Sequence, residues 1–87
     1  MSDLLFSIGP FAWTEQRSAW VDLRNFNMIA IEPYNTNFAV VLYAPKSKVV
    51  AKGFKFAWFP TEREARDTAR NVVEFRVTLE RQSEDHK

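Results

Sequence analysis

The stretch Asn37-Phe38-Ala39-Val40-Val41-Leu42-Tyr43-Ala44-Pro45 decides how the rest of the chain is read. Alternate side chains of an extended chain point to opposite faces, so Phe38, Val40, Leu42 and Ala44 share one side, and Ala39, Val41 and Tyr43 the other. Both sides are apolar, which marks a central strand covered on both faces. Upstream, Met28, Ile29, Ala30 and Ile31 form a second apolar run within Asn27 to Pro33, and Tyr34-Asn35-Thr36-Asn37 has the Asn-rich chemistry of a turn. The two runs make a hairpin. Downstream, Pro45-Lys46-Ser47-Lys48 reads as another turn and Val49 to Phe59 as a third strand, with Lys52, Phe54, Phe56 and Trp58 on one face. Gly53 marks a bulge or a close backbone approach within it.

Past that strand, Pro60-Thr61-Glu62-Arg63-Glu64 is a helix start: Thr61 caps, Glu64 returns the bond, and the acidic first turn suits the helix dipole. Ala65, Ala69, Val72 and Leu79 continue as a helical stripe, flanked by Val73, Phe75 and Val77, although the helix then carries Arg76 near the middle of its apolar arc. The same residues allow a competing reading, because Val73, Phe75, Val77 and Leu79 alternate with Glu74, Arg76, Thr78 and Glu80 as in a half-buried strand. One helix to about Arg81 is preferred, since only Asn71 offers a break and a strand needs a connecting loop; a left-handed cap at Asn71 would instead make 72 to 80 a fourth strand. At the other end, Leu4 to Ile8 reads as a short strand, then a loop or helical turn to Arg17 with Thr14 as a possible cap, then Ala19 to Glu32 as one long bulged strand. The expected fold is α+β: an antiparallel three- to four-stranded meander packed on a C-terminal helix, one domain over residues 1 to 81, with 82 to 87 a disordered polar tail.

The 87 residues are enough for one core, and with 46% hydrophobic and 15% aromatic residues, two Gly and four Pro, the chain is globular. Thirteen aromatics exceed what one sheet-and-helix layer usually encloses. Some should therefore face a partner, and the second face of the central strand calls for cover that a two-fold homodimer would supply. Each of Trp13, Trp20, Phe54, Phe56 and Trp58 taken singly reads first as core. Trp13, Trp20, Tyr43 and Trp58 are the aromatic candidates for binding, since such rings stack bases, line pockets and anchor interfaces. Cysteine is absent, which excludes disulfides, zinc ribbons and thiol nucleophiles and fits a reducing cytoplasm. The N-terminus lacks a basic segment of signal-peptide type, and the longest apolar stretch, Phe38 to Pro45, falls far short of the ~20 residues of a membrane span.

Charge is unevenly spread. The net is +1 overall, with −2 over residues 1 to 45 and −1 over 60 to 87, so Lys46, Lys48, Lys52 and Lys55 form a +4 stripe between them. Such a stripe either meets phosphates or an acidic protein, or solvates a hairpin and keeps its edge from pairing with other chains. The second alternative is preferred because a domain-wide basic excess is missing.

Several features together carry a resemblance: Trp20-Val21-Asp22-Leu23, the pair Ile29 and Ile31, a Phe/Trp strand, and Phe59-Pro60-Thr61 with Glu64-Ala65 opening a helix. In that order they resemble small uncharacterised proteins of bacteria, phages and integron cassettes that share a sheet meander closed by a C-terminal helix. The resemblance implies an accessory protein of a mobile genetic element. The aromatic strand running into Thr-x-x-Glu-Ala is also similar to AP2-type and integrase arm-binding DNA domains, whose three-stranded sheet enters the major groove. The central strand departs from that pattern, with Ala-Val-Val-Leu-Tyr where groove readers present basic or polar residues, so no residue is carried over as functional.

Catalytic chemistry finds little material. His86 stands alone in the tail, Gly9 and Gly53 build no phosphate loop, and Glu62 and Glu64 are explained by helix capping. Spacing leaves Asp22 with Glu32 open as an acid/base pair. No catalytic residue, metal or cofactor is expected. The sequence reads as a non-enzymatic binding or adaptor module of unknown partner, dimeric and cytoplasmic; a nucleic-acid-binding domain using the lysines and exposed aromatics is the alternative, and a small-ligand pocket between helix and sheet the third. If the lysines neutralised up to four phosphates, log K should fall against log salt with a slope no steeper than about −3 to −4. The expected result is weak or undetectable binding of random single- or double-stranded DNA at physiological salt. A submicromolar, salt-sensitive affinity abolished by replacing all four lysines would instead put nucleic-acid binding first.

Overall fold

The computed structural model describes residues 7–47 and 52–85, with backbone alone for 83–85. Six strands, β1 (Ser7–Ile8), β2 (Phe11–Thr14), β3 (Ala19–Asp22), β4 (Met28–Tyr34), β5 (Asn37–Tyr43) and β6 (Phe54–Phe59), precede one helix, α1 (Glu62–Asp85). Each strand pairs antiparallel with the next, giving one meander sheet in the order β1-β2-β3-β4-β5-β6. The α+β class and the closing helix therefore hold, and the sheet has six strands rather than three or four.

The extra strands come from the first quarter. Phe11–Thr14 is a strand and not a loop or helical turn, because Gly9 takes the left-handed conformation (φ 57°) and turns the chain into a tight hairpin with Ile8 opposite Phe11. A Cβ at Gly9 would lie 3.0 Å from Val77 Cγ2, so the turn also lets the backbone touch α1. The long strand expected over Ala19 to Glu32 is broken into β3 and β4 by a turn in which Phe26 is left-handed (φ 64°) and donates its N–H to Asp22 O at 2.7 Å. Asp22 organises this turn with its side chain. Its Oδ1 accepts from Arg24 N (2.9 Å) and Nε (3.0 Å), its Oδ2 from Arg24 Nη2 (2.8 Å), and Arg24 Nη2 also reaches Glu80 Oε2 of α1 at 3.1 Å. These bonds hold the nearly inaccessible Asp22 carboxyl below its ordinary pKa against the opposing effect of burial.

The hairpin at Asn35 forms as read, with Tyr34 opposite Asn37 and Asn35 left-handed (φ 55°). Pro33 is tolerated inside β4 because β3 pairs only as far as Ala30, so no neighbour lies beside the missing N–H. The register shifts between Val40 and Val41, which face Ala57 and Lys55, so the bulged residue is Phe56 of β6. It breaks the alternation expected for β6: Phe54 and Trp58 stand on opposite faces, paired with Leu42 and Ala39. Leu4 to Phe6, Lys48 to Ala51 and His86 lie outside the described residues.

The 72–80 segment is helical, and α1 continues through Asp85. Thr61 Oγ1 accepts from Glu64 N (3.3 Å) and donates to Glu64 Oε1 (2.9 Å), so the cap reads as the sequence placed it. The buried stripe is Ala65, Ala69, Val73 and Val77, not one running through Val72 and Leu79; Phe75 and Leu79 are exposed, and so is Arg76. The stripe packs on Phe11, Trp20, Ile29, Ile31 and Val40, and the two alanines let helix and sheet approach closely. Truncating Ile29, 2% exposed, to Ala should cost about 2 to 5 kcal/mol in chemical denaturation, whereas Trp58→Ala, at 52% exposure, should cost about 1 kcal/mol or less. That reverses the core role expected for Trp58.

Candidate functional site

Register assigns every strand residue to a face. The face away from α1 carries the row Ala12, Val21, Met28, Tyr43, the row Thr14, Ala19, Ala30, Val41, Lys55, and the row Glu32, Ala39, Trp58. Among the described residues no helix covers it, yet Ala19, Ala30, Ala39 and Val41 are buried. Longer side chains lie across these small ones. The Tyr43 hydroxyl donates to Glu32 Oε2, and the two side chains, starting from different rows, meet above Ala30 and Val41.

Gly53 makes room for that strap. It is left-handed (φ 97°), and a Cβ there would lie 2.7 Å from Tyr43 Cε1 and 3.1 Å from Val41 Cγ1. The close-approach alternative for Gly53 is therefore the one realised. Donation to the Glu32 carboxylate, helped by desolvation, pushes the Tyr43 phenol up to about 12. Asp22 stands in register with Phe11 on the helix side and Glu32 on the open side, so this pair is not brought together as an acid and a base.

At the β6 corner of the open face, the Tyr34 and Trp58 rings meet edge to face at 6.1 Å and 66°, and Lys55 Nζ lies 5.2 Å from the Tyr34 ring centre. Phe54 and Phe56 on the same strand are also exposed. Across the face, Thr14, Arg17, Val21, Phe26, Met28, Tyr43 and Pro45 surround a hollow of about 580 Å³. Lys46 and Lys52 are exposed, and Lys48 lies outside the described residues.

The other two tryptophans stand on the helix side. Trp20 is core, 5% exposed, and Trp13 packs edge to face on it at 5.6 Å. Arg66 lies 5.0 Å over the Trp13 ring and is held by Glu62 and Glu15. Between them and Asp67 and Arg70 is a notch of about 170 Å³, so the larger space is on the open face and not between helix and sheet. Among the sequence candidates, Trp58, Lys55 and Tyr43 share the open face, while Trp13 and Trp20 do not. Tyr34, Phe26 and Arg17 were missed. Tyr34 read as a turn residue; Asn25 and Asn27 around Phe26, with Asp22 before them, are a turn signal that could have placed it.

No protein-family model, curated protein or solved structure gives a significant match to the chain.

Because the folded chain keeps the Tyr43 proton to about pH 12 while an unfolded tyrosine releases it near 10, this bond contributes stability that is complete below pH 10 and is lost between 10 and 12. Glu32→Gln should bring the Tyr43 titration, followed by tyrosinate absorbance, back toward 10 and flatten the loss of stability over that interval.

Proposed function

We propose that this chain is a non-enzymatic binding or adaptor module that self-associates through β6 and the aromatic corner beside it. One observation carries the reading: β6 ends the sheet, and Phe54, Phe56 and Trp58 on it are 53%, 37% and 52% exposed. A strand at a sheet edge offers unpaired backbone groups, and natural sheets usually protect such edges or use them. A second copy related by a two-fold axis beside β6 would extend the sheet and remove these rings from water. The need for cover lies at this edge and not over the second face of β5, which its own neighbours already bury.

No described helix is long and apolar enough to cross a membrane. The lack of cysteine and the resemblance to mobile-element proteins support an accessory role in a bacterial cytoplasm. A second reading has its own observation: Lys55 over Tyr34, with Trp58 alongside, places a cation among stacking rings on an open antiparallel sheet, an arrangement that suits single-stranded nucleic acid.

Light scattering at micromolar concentration should give a dimer. Phe56→Glu with Trp58→Glu should give a monomer of unchanged circular dichroism. A wild-type monomer would overturn self-association, and the salt dependence of DNA binding would then decide for or against the second reading.

A further inference from the structure

The hollow on the open face is distinct from the β6 corner. Its floor and walls are Val21, Met28, Phe26, Tyr43 and Pro45, with Thr14 at one end, and its volume of about 580 Å³ falls within the ~300 to 1,000 Å³ of small-molecule sites. Arg17 is the single charged residue in the lining. The Arg17 side chain extends from the turn after β2 across the sheet, its Nη1 3.9 Å from Met28 Sδ, and it pairs with no carboxylate among the described residues. Arg24, Arg66 and Arg70 each have a carboxylate within ion-pair distance; Arg17 shares the lack of one among the described residues with Arg63, Arg76 and Arg81, and of these four it alone lines the hollow.

The backbone around the hollow is held in conformations that non-glycine residues seldom adopt. Ser18, next to Arg17, has φ 49°, and Phe26 has φ 64° with its ring largely in solvent. Left-handed non-glycine residues cost free energy and tend to gather where a clamp or pocket is shaped. Of the acids by this face, Glu32 is engaged by the Tyr43 hydroxyl and Glu15, two residues from Arg17, is turned to Trp13 and Arg66, while Lys46 adjoins Pro45. The charge around an apolar space is thus cationic, and a planar guanidinium matches a carboxylate through two parallel N–H donors.

We propose that this hollow binds a small amphipathic carboxylate, its apolar body against Val21, Met28 and Phe26 and its carboxylate on Arg17. The probe is 1-naphthylacetate, with 1-naphthylacetamide as its neutral counterpart, titrated into the full chain by calorimetry and by amide chemical shifts. The carboxylate should bind at least tenfold more tightly than the amide, and the shifts should centre on Thr14, Val21, Met28 and Tyr43. Arg17→Gln, at an exposed position, should erase the preference for the carboxylate while leaving the circular dichroism unchanged. Equal binding of acid and amide, a preference that survives Arg17→Gln, shifts centred elsewhere, or no binding would each overturn the proposal. Dimerisation at β6 is read separately by light scattering, so the two surfaces stand or fall independently.

Discussion

One helix has one stripe to bury, and a sheet has two faces; the arrangement of this protein follows from that inequality. Ala65, Ala69, Val73 and Val77 seat α1 on one side, against Phe11, Trp20, Ile29, Ile31 and Val40. The other side must be kept from water by different means. It uses small residues, Ala19, Ala30 and Ala39, under longer neighbours, and the chief of these is Tyr43, held by Glu32 above and relieved by Gly53 below. Such a strap covers without filling, which is why the same face retains a hollow along β3 and β4 and an exposed aromatic corner at β6.

The polar contacts serve the same end. Asp22, Arg24 and Glu80 tie the turn after β3 to the last third of α1, and the charge-assisted bonds satisfy a carboxylate with almost no access to water. The tie also holds the loop in which Phe26 takes its left-handed conformation. Helix seating, turn geometry and the shape of the hollow are therefore coupled through one arginine.

Much of the fold could be read from residues whose chemistry is local. Phe38 to Tyr43 as a central strand, the Asn35 turn, the Thr61 cap and the continuous helix all follow from patterns within a few positions, and they hold. Where reading failed, a longer-range fact was in control. The bulge at Phe56 shifts the alternation of β6, so that Phe54 and Trp58 part company and Trp58 leaves the core. The helical stripe runs through Val73 and Val77 because Gly9 and Phe11 lie beneath it. The β2 strand was hidden because Phe11-Ala12-Trp13-Thr14 alternates too briefly to announce itself. Tyr34, Phe26 and Arg17 come together with their surfaces only through pairing across strands, which no spacing in the chain encodes.

The strictly sequential order of the strands bears on how the protein is made. Every strand pairs with the one synthesised just before it, so the sheet can grow hairpin by hairpin with short loop closures at each step. The cover arrives last. All six strands precede Glu62, and the contact of Gly9 with Val77 joins nearly the two ends of the chain. Until α1 emerges, Phe11, Trp20, Ile29 and Val40 form an open apolar sheet on the nascent chain. The stage most prone to misassociation is thus a complete sheet awaiting its helix, and because a helix forms within about a microsecond while synthesis adds only ~5–20 residues per second, the time needed to make α1 sets how long that stage lasts.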